Sequence, residues 1–293
     1  MKSRLKLLSL ASSLYTLAGL TILTAPAHAF GLLEADTSSG VYQSIPVYGE
    51  ATKNSITARV TRGINPEGTN GSQGAFSEFT GNDVVTVDFN QPAVRVGVNT
   101  YTFGSEDISY TFQNGFSTRS GTGVYSNRWA PAGAYGEVNQ SNYLAVFQGN
   151  SVTVNLGQNL NYFGINWGAL SSGNDFAFYN DDQLIASFVY EDINPIAPVR
   201  ATQHNGEGNG YLHFYANDAT GVFNKILISQ SKGGGFESDN HSFRFGESGF
   251  NFETGETVPV PYELESALGL MLFGLIWLTH RCWLKRQHKK QFA

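Results

Sequence analysis

The chain has 293 residues, a net charge of −6 and one cysteine, Cys282. An acidic chain repels phosphate backbones, which excludes nucleic acid as an expected partner, and a single cysteine excludes an internal disulfide. Three of the 18 Lys and Arg residues precede residue 30 and five follow residue 280, whereas only two of the 24 Asp and Glu residues follow residue 258. This leaves 10 basic and 22 acidic residues, a net charge of about −12, between residues 30 and 258.

Residues 1–29 have the pattern of a signal peptide. A positively charged start precedes an apolar run from Leu7 to Ala25. Ala27 and Ala29 are the small residues of a cleavage site for signal peptidase, so Phe30 is the predicted mature start. The pattern predicts a signal helix and export through the inner membrane; an uncleaved N-terminal anchor is the alternative.

Residues 30–80 are predicted to be an irregular N-terminal part of the mature domain. Within them, Gly63 to Gly74 is rich in Gly and in polar residues such as Asn. Segments of this composition favour turns, so we expect an exposed loop that is too polar to bury.

Residues 81–250 show a hydrophobic period of two, which is typical of β-strands. The candidate strands are 84–89, 143–147, 152–156, 160–167, 176–179, 184–190, 211–215, 223–229 and 241–245. The polar segment 148–151 predicts a hairpin, and 180–183 predicts a turn between two strands. Alternation places Phe163, Ile165 and Trp167 on one face, with Trp167 in the core. The spacing predicts an all-β domain, an antiparallel β-sandwich with a jelly-roll-like topology.

Glu237, Asp239 and Asn240 form a candidate calcium site. Strand alternation places Glu237 and Asp239 on one face, and carboxylate and amide oxygens are ligands that Ca²⁺ prefers. Glu78 or Asp88 would have to complete such a structural site, because one segment supplies too few oxygens. The alternative is ordinary turn chemistry of Asp and Asn.

Trp129 is a candidate glycan contact. The chain has 21 Phe, 14 Tyr and 4 Trp, and Trp129 lies in a predicted loop with Asn127 and Pro131. The CH-rich face of a sugar ring stacks on aromatic rings of this kind, whereas the alternative is a Trp that fills the core.

No catalytic or transition-metal motif is present in the sequence. His204, His213 and His241 lack metal-ligand spacing, and there is no G-x-S-x-G element. The Gly-rich segment 205–210 does not have the dinucleotide-binding spacing. Asn180 to Asp182 lacks the order of a calcium loop, so it is interpreted as a turn.

The last residues are predicted to form a linker with a motif (251–263), a short transmembrane helix (264–280) and a basic cytoplasmic tail (281–293). The uncharged stretch 266–280 is shorter than the about 20 residues that a stable span needs. Basic residues after it place that end in the cytoplasm. A plain single-pass anchor is the alternative to a transient insertion.

Pro261, Tyr262 and Glu263, followed by the apolar stretch and the basic end, resemble the PEP-CTERM sorting signal in its Pro-aromatic-Glu variant, typical of cyanobacteria. The resemblance implies recognition of these three residues by an exosortase and cleavage near the motif. The protein would then be released or attached at the cell surface or in the extracellular matrix.

Residues 119–245 carry a second resemblance. Asn161 to Gly168 (NYFGINWG) and Gly235 to Phe243 (GFESDNHSF) are similar to segments of a family of cyanobacterial exosortase-dependent surface proteins. The resemblance implies a secreted β-rich domain ahead of a sorting tail and assigns it no activity.

The sequence favours an exported, non-catalytic surface or matrix protein that binds extracellular polysaccharide. The alternative is a glycan-active hydrolase on a jelly-roll scaffold, which needs two carboxylates across a groove. The available carboxylates are Asp175, Glu191, Glu237 and Asp239. A third interpretation is a purely structural domain.

Overall fold

The structure is a computed structural model that describes residues 49–79, 83–90, 100–103, 108–113, 122–126, 129–196, 199–200, 204, 207–258, 271–272, 275–278 and 280–281. All of them belong to one compact unit, Leu32–Ala293, and the other unit, Met1–Gly31, lies outside the described residues. The predicted cleavage residues Ala27 and Ala29 and the motif at 261–263 also lie outside them, as does the tail from residue 282.

The described chain is mostly antiparallel β-structure, which confirms the predicted fold class at this level. The strands are β1 (Gly49–Lys53), β2 (Ile56–Thr61), β3 (Val84–Val87), β4 (Thr100–Phe103), β5 (Ile108–Phe112), β6 (Gly123–Tyr125), β7 (Tyr143–Phe147), β8 (Asn150–Leu170), β9 (Asn174–Asn180), β10 (Gln183–Val189), β11 (Val199–Arg200), β12 (Gly208–Ala216), β13 (Phe223–Gln230), β14 (Gly235–Phe245), β15 (Phe250–Asn251) and β16 (Glu256–Thr257). One helical turn, α1 (Tyr190–Ile193), and two 3₁₀ turns, Asn194–Ile196 and Ala219–Gly221, interrupt them.

Strand β8 connects two halves of the sheet. Residues 150–155 pair with β13, and 152–155 of them also pair with β5 on the other edge; residues 162–168 pair with β12 and β14. Between these parts, residues 156–159 form an irregularity in the pairing with β13. Because bulges bend a strand, β8 can serve both halves.

We call the strands β4, β5, β8, β13, β9 and β10 the first half-sheet, and β1, β2, β12, β8 and β14 the second half-sheet. The edge of β14 that faces away from β8 pairs with β7 and β3. Strand β6 pairs with β7, and β11 pairs with β12. Strands β15 and β16 form a separate small sheet.

The two half-sheets pack apolar side chains into one largely aromatic core. The Phe214 ring of β12 lies 4.8 Å from Phe176 and 4.6 Å from Phe178 of β9, so the halves are in direct contact. Trp167 is 1% exposed, which confirms its predicted core position, and Phe163 lies on the same face of β8. Burying a large apolar side chain of this kind contributes about 1.5–3 kcal/mol.

The opposite face of the second half-sheet is also buried, but it is polar. Two segments, 62–79 and 129–142, cover it. The Asn240 amide donates to the backbone oxygens of Gln73 (2.7 Å) and Ala75 (2.9 Å). We call the buried side chains of this face the polar layer: Tyr162, Asn166, Tyr211, His213, Asp239 and Asn240.

The expectation that 63–74 is an exposed loop is wrong for part of the segment. Gly63, Gly71 and Gly74 are buried. Gly74 has a φ of +76°, and a Cβ there would lie 2.6 Å from the Asn166 amide nitrogen. A polar segment can be buried here because the amides of the polar layer satisfy its backbone groups.

The expectation of irregular structure over 30–80 is wrong for residues 49–61. They form the β1–β2 hairpin, and β2 pairs with β12 in the second half-sheet. The alternation of Ile56, Ala58 and Val60 into the core explains why this segment is a strand.

The hairpin predicted at 148–151 is also wrong. The turn predicted at 180–183 is confirmed, and it joins the paired strands β9 and β10. Strand β7 pairs with β14 and β6, and the start of β8 pairs with β13. Gly149, with a φ of +76°, donates its N–H to Gln230 rather than closing a hairpin. The turn leads from β7, which pairs with β14, to the start of β8, which pairs with β13 in the first half-sheet.

Residues 271–272, 275–278 and 280–281 are helical, and their side chains are exposed. Within the residues for which the structure gives a description, no helix has the length and apolar character to cross a membrane. The rest of the predicted helix at 264–280 lies outside them.

Candidate functional site

A cleft of about 410 Å³ opens beside the start of β14. We call it the Trp129 cleft. Its lining comprises Trp129, Phe147, Ala169, Ser171, Glu207, Gly233, Gly234, Gly235 and Glu237. The cleft therefore brings together Trp129 and Glu237, two residues that the sequence singled out for different reasons.

Glu237 reaches the cleft because its neighbours are small. On β14 it pairs with Ala145 of β7 on one side and with Gly168 of β8 on the other. A Cβ on Gly235 would collide with the Glu237 carboxyl group. The glycine-rich approach to β14 thus leaves space in which this side chain folds toward the cleft.

Trp129 is half-buried and held in place from one side. Its ring stacks on His204 with a centroid distance of 6.0 Å and an interplanar angle of 13°. His204 in turn contacts the Asn209 side-chain oxygen at 2.8 Å. Trp129 also packs against Tyr143 and Ala145, so it is neither a free surface residue nor part of the main core.

The two carboxyl groups of the cleft are in an unfavourable environment for charge. Glu237 is 6% exposed, and burial raises its pKa to about 8, with a further contribution from the charge of Glu207. Burial also raises the pKa of Glu207. Among the described residues, neither carboxyl forms an ion pair. At neutral pH Glu237 is therefore mainly a neutral acid, which donates a hydrogen bond as well as accepting one.

The three candidate calcium ligands have different partners. Asp239 lies on the same face of β14 as Glu237, but it accepts hydrogen bonds from Asn139 (2.9 Å) and Ser141 (2.9 Å). Burial raises the pKa of Asp239 to about 8 despite these donors. Asn240 has a φ of +47° at an irregularity in the pairing with β8, and its amide nitrogen is used by the covering segment.

Glu78 and Asp88 were the expected additional ligands. Glu78 lies 3.1 Å from His213 Nε2 in the polar layer. Burial would raise the pKa of Glu78, but the hydrogen bond and charge of His213 lower it overall. Asp88 accepts the N–H of Asn90. Across the parts of the chain that are described, no group of three or more His, Cys, Asp or Glu is arranged to hold a metal ion. The calcium hypothesis stays a prediction.

The three histidines lie in separate environments. His204 supports Trp129, while His213 contacts Tyr162 at 2.8 Å and Thr61 at 2.9 Å. His241 is in the apolar core, and burial lowers its pKa to about 3. Each ring thus has a structural environment of its own.

Sequence reasoning missed Glu207 and Phe147 as cleft residues. Glu207 was noticed only within a Gly-rich segment that was tested as a dinucleotide motif. Of the carboxylates considered for a groove, Asp175 accepts from Ser231 (2.7 Å), and Glu191 lies 3.7 Å from Lys232. Clusters of Gly around 205–210 and 233–235 were the available signal, because glycines leave room for a ligand.

No protein-family model matches the chain, and neither the curated proteins nor the solved structures contain a significant match.

Proposed function

We propose that the chain is an exported, non-catalytic surface or extracellular-matrix protein that binds polysaccharide in the Trp129 cleft. The observation that carries this proposal is the presence of Trp129, Phe147 and two carboxyl groups in one open cleft. Aromatic rings provide the apolar surface for a sugar ring, and acidic side chains bond its hydroxyl groups.

The sorting route is part of the same proposal. Signal peptidase would cut after Ala29, and an exosortase would recognise Pro261, Tyr262 and Glu263 while the helix at 264–280 holds the chain in the membrane. Support comes from the order of leader, motif, apolar stretch and basic tail in the sequence. A jelly-roll arrangement of the strands and helices at both termini complete the proposed architecture.

Binding is tested with polysaccharide extracted from the surface of the producing cells. We expect the full chain to bind it in affinity electrophoresis, and Trp129→Ala to weaken binding about tenfold or more, as for an aromatic anchor. Tyr135→Ala is the matched control, because Tyr135 is 38% exposed and does not line the cleft. Equal affinities of the two variants would contradict a role for the cleft.

Sorting is tested by the intact mass of the protein recovered from cell surface and medium. We expect a chain that begins at Phe30 and ends near residues 258–264. A mass that extends from Phe30 to Ala293 would show that the tail is retained, and the sorting proposal would then fail.

A glycan hydrolase is the second candidate function. The presence of Glu237 and Glu207 in one cleft favours it, because glycoside hydrolysis uses a protonated carboxyl group together with a second carboxyl group. Glu237 would give its proton to the glycosidic oxygen as the bond to the anomeric carbon breaks. Glu207 would take a proton from the attacking water.

Hydrolysis is measured as new reducing ends released from the same polysaccharide. If the protein is a hydrolase, we expect the parent chain to release reducing ends and the variants Glu207→Gln and Glu237→Gln to release none. Binding without release of reducing ends would leave the non-catalytic function as the sole candidate.

A further inference from the structure

We infer that the Trp129 cleft selects glycans that carry protonated amino groups, such as polymers of glucosamine. The inference rests on the proposed function, because it names the class of glycan that the cleft would bind. It starts from Glu207 and Glu237, two acidic side chains of the cleft with which no described residue forms an ion pair.

Among the residues that the structure describes, none forms an ion pair with the Glu237 carboxyl group. Glu237 is 6% exposed and lines a cleft large enough for a sugar unit. Its own backbone N–H is the donor that the described part of the chain brings to it. Asp239, two residues later, is bonded to Asn139 and Ser141 instead. Ionising a buried carboxyl group that has no cation beside it is unfavourable, so a ligand cation that supplies the missing charge favours the ionised form of Glu237.

Lys232, a described cation beside the cleft, has other partners. Lys232 directly precedes the cleft glycines, but its Nζ donates to Ser172 (2.9 Å) and lies 3.7 Å from Glu191. The acidic group whose charge acts on Glu237 is Glu207, and the titratable ring of His204 stacks on Trp129 at the cleft. Within the described part of the chain, the charge that acts on Glu237 is thus the negative charge of Glu207.

The remaining walls suit an ammonium group attached to a sugar. Trp129 and Phe147 offer ring surfaces, which attract cations as well as apolar CH groups. A carboxylate forms a charge-assisted hydrogen bond with an ammonium group, which is stronger than a bond to a neutral amide. The net charge of about −12 between residues 30 and 258 adds long-range attraction for a polycation.

Calcium fits the cleft less well than an ammonium group. Ca²⁺ takes six to eight oxygen ligands, whereas the side chains that line the cleft supply oxygens from Glu207, Glu237 and Ser171. An ammonium ion needs only a few acceptors, which two carboxyl groups can provide.

The test compares a glucosamine oligomer with its N-acetylated counterpart of the same length, by calorimetry on the full chain at a pH where the amines are protonated. We expect the amine form to bind about tenfold to a hundredfold more tightly, the range for a hydrogen bond to a charged group. Because Glu237 is neutral before binding, the amine form should also release up to about one proton, measured by repeating the titration in buffers of different ionisation enthalpy.

Glu237→Gln should abolish both the preference and the proton release. Glutamine is close in shape to the neutral acid, so this variant keeps the fold. Glu67→Gln, an exposed acid outside the cleft, is the matched control and should change neither.

Other outcomes overturn the inference in distinguishable ways. Equal affinity for both oligomers, lost in Trp129→Ala, would refute the preference for amines and leave polysaccharide binding intact. Failure of both oligomers and of the surface polysaccharide would refute the proposed function and the inference together. Binding of CaCl₂ that requires Glu237 and blocks the oligomer would replace the amine with calcium.

Discussion

The two faces of the second half-sheet are buried to a similar degree, yet they are stabilised differently. One face contributes Phe163, Trp167 and Phe214 to the aromatic core, and the other contributes the polar layer. The aromatic face gains from removal of apolar surface from water. The polar face loses hydration, and it is tolerated because covering segments replace water with protein hydrogen bonds.

This comparison also indicates where function resides. Tyr211 donates to Asn240 O and Ser242 Oγ, and Asp239 accepts from Asn139 and Ser141. Glu237 lies on the same face, but it projects into the Trp129 cleft, where no described residue forms an ion pair with it. A buried polar group that the fold leaves available is a candidate for a ligand.

We expect the largest loss of stability from a substitution in the aromatic core. Phe214→Ala removes a ring that contacts both half-sheets and should lower the free energy of unfolding by about 3–5 kcal/mol, because it leaves a cavity. Urea unfolding monitored by tryptophan fluorescence measures it. Leu184→Ala, at a 53% exposed position, should change stability by less than about 0.5 kcal/mol. Similar losses at both positions would show that Phe214 does not join the halves.

We expect the second-largest loss of stability from a substitution in the polar layer. Asp239→Ala leaves the buried donors of Asn139 and Ser141 without their acceptor and should destabilise the fold by about 1–3 kcal/mol. Asp239→Asn keeps an acceptor oxygen, so its loss in the same unfolding assay should be smaller. If the two variants are equally stable, hydrogen bonding does not hold this face together.

The pH dependence of the free energy of unfolding distinguishes Glu237 from His241. Its pKa is about 8 in the folded chain and about 4.3 when unfolded, so the folded chain retains a proton that the unfolded chain loses. The stabilisation is fully present below about pH 4 and is lost as pH rises to about 8. His241, whose pKa is lowered to about 3, acts in the opposite sense, because its stabilisation is lost as pH falls below about 6.5.

Between about pH 7.5 and 8 the histidines of the unfolded chain are mainly neutral, so the pH dependence of unfolding comes chiefly from the acidic groups. Stability should decrease with pH, and Glu237→Gln should reduce the slope by up to about 1.4 kcal/mol per pH unit. Glu67→Gln should leave the slope unchanged. A parent chain whose stability is constant over this range would contradict the raised pKa values of Glu237 and Asp239.

The smallest effect is expected at the surface. Lys53 forms an ion pair with Asp192 at 2.6 Å, and both side chains are partly exposed. Because water and salt screen such pairs, Lys53→Met should cost less than about 1 kcal/mol, and the loss should shrink in high salt. If Lys53→Met lowered the free energy of unfolding as much as Asp239→Ala, this surface ion pair would stabilise the fold as strongly as the hydrogen bonds of Asp239 in the polar layer.

Local patterns were sufficient for much of the fold. Alternation in β8 correctly placed Phe163, Ile165 and Trp167 on one face, with Trp167 in the core, and residues 180–183 after β9 were correctly predicted to be a turn. The turn after β7 is similarly polar in sequence, but it joins two strands that pair with different partners, β14 and β13. Turn composition reports a change of direction, while the pairing partner is decided by strands that are distant in the chain.

By itself, the sequence determined the β-rich class, the apolar face of β8 and the placing of Glu237 and Asp239 on one face of β14, because these depend on a period of two between neighbours. Only the tertiary structure decided that Asp239 would be enclosed by Asn139 and Ser141 and that Glu237 would share a cleft with Trp129 and Glu207. The physical reason is that desolvation and hydrogen-bond partners depend on segments about 30 to 110 residues away along the chain, whose position follows from packing and not from local pattern.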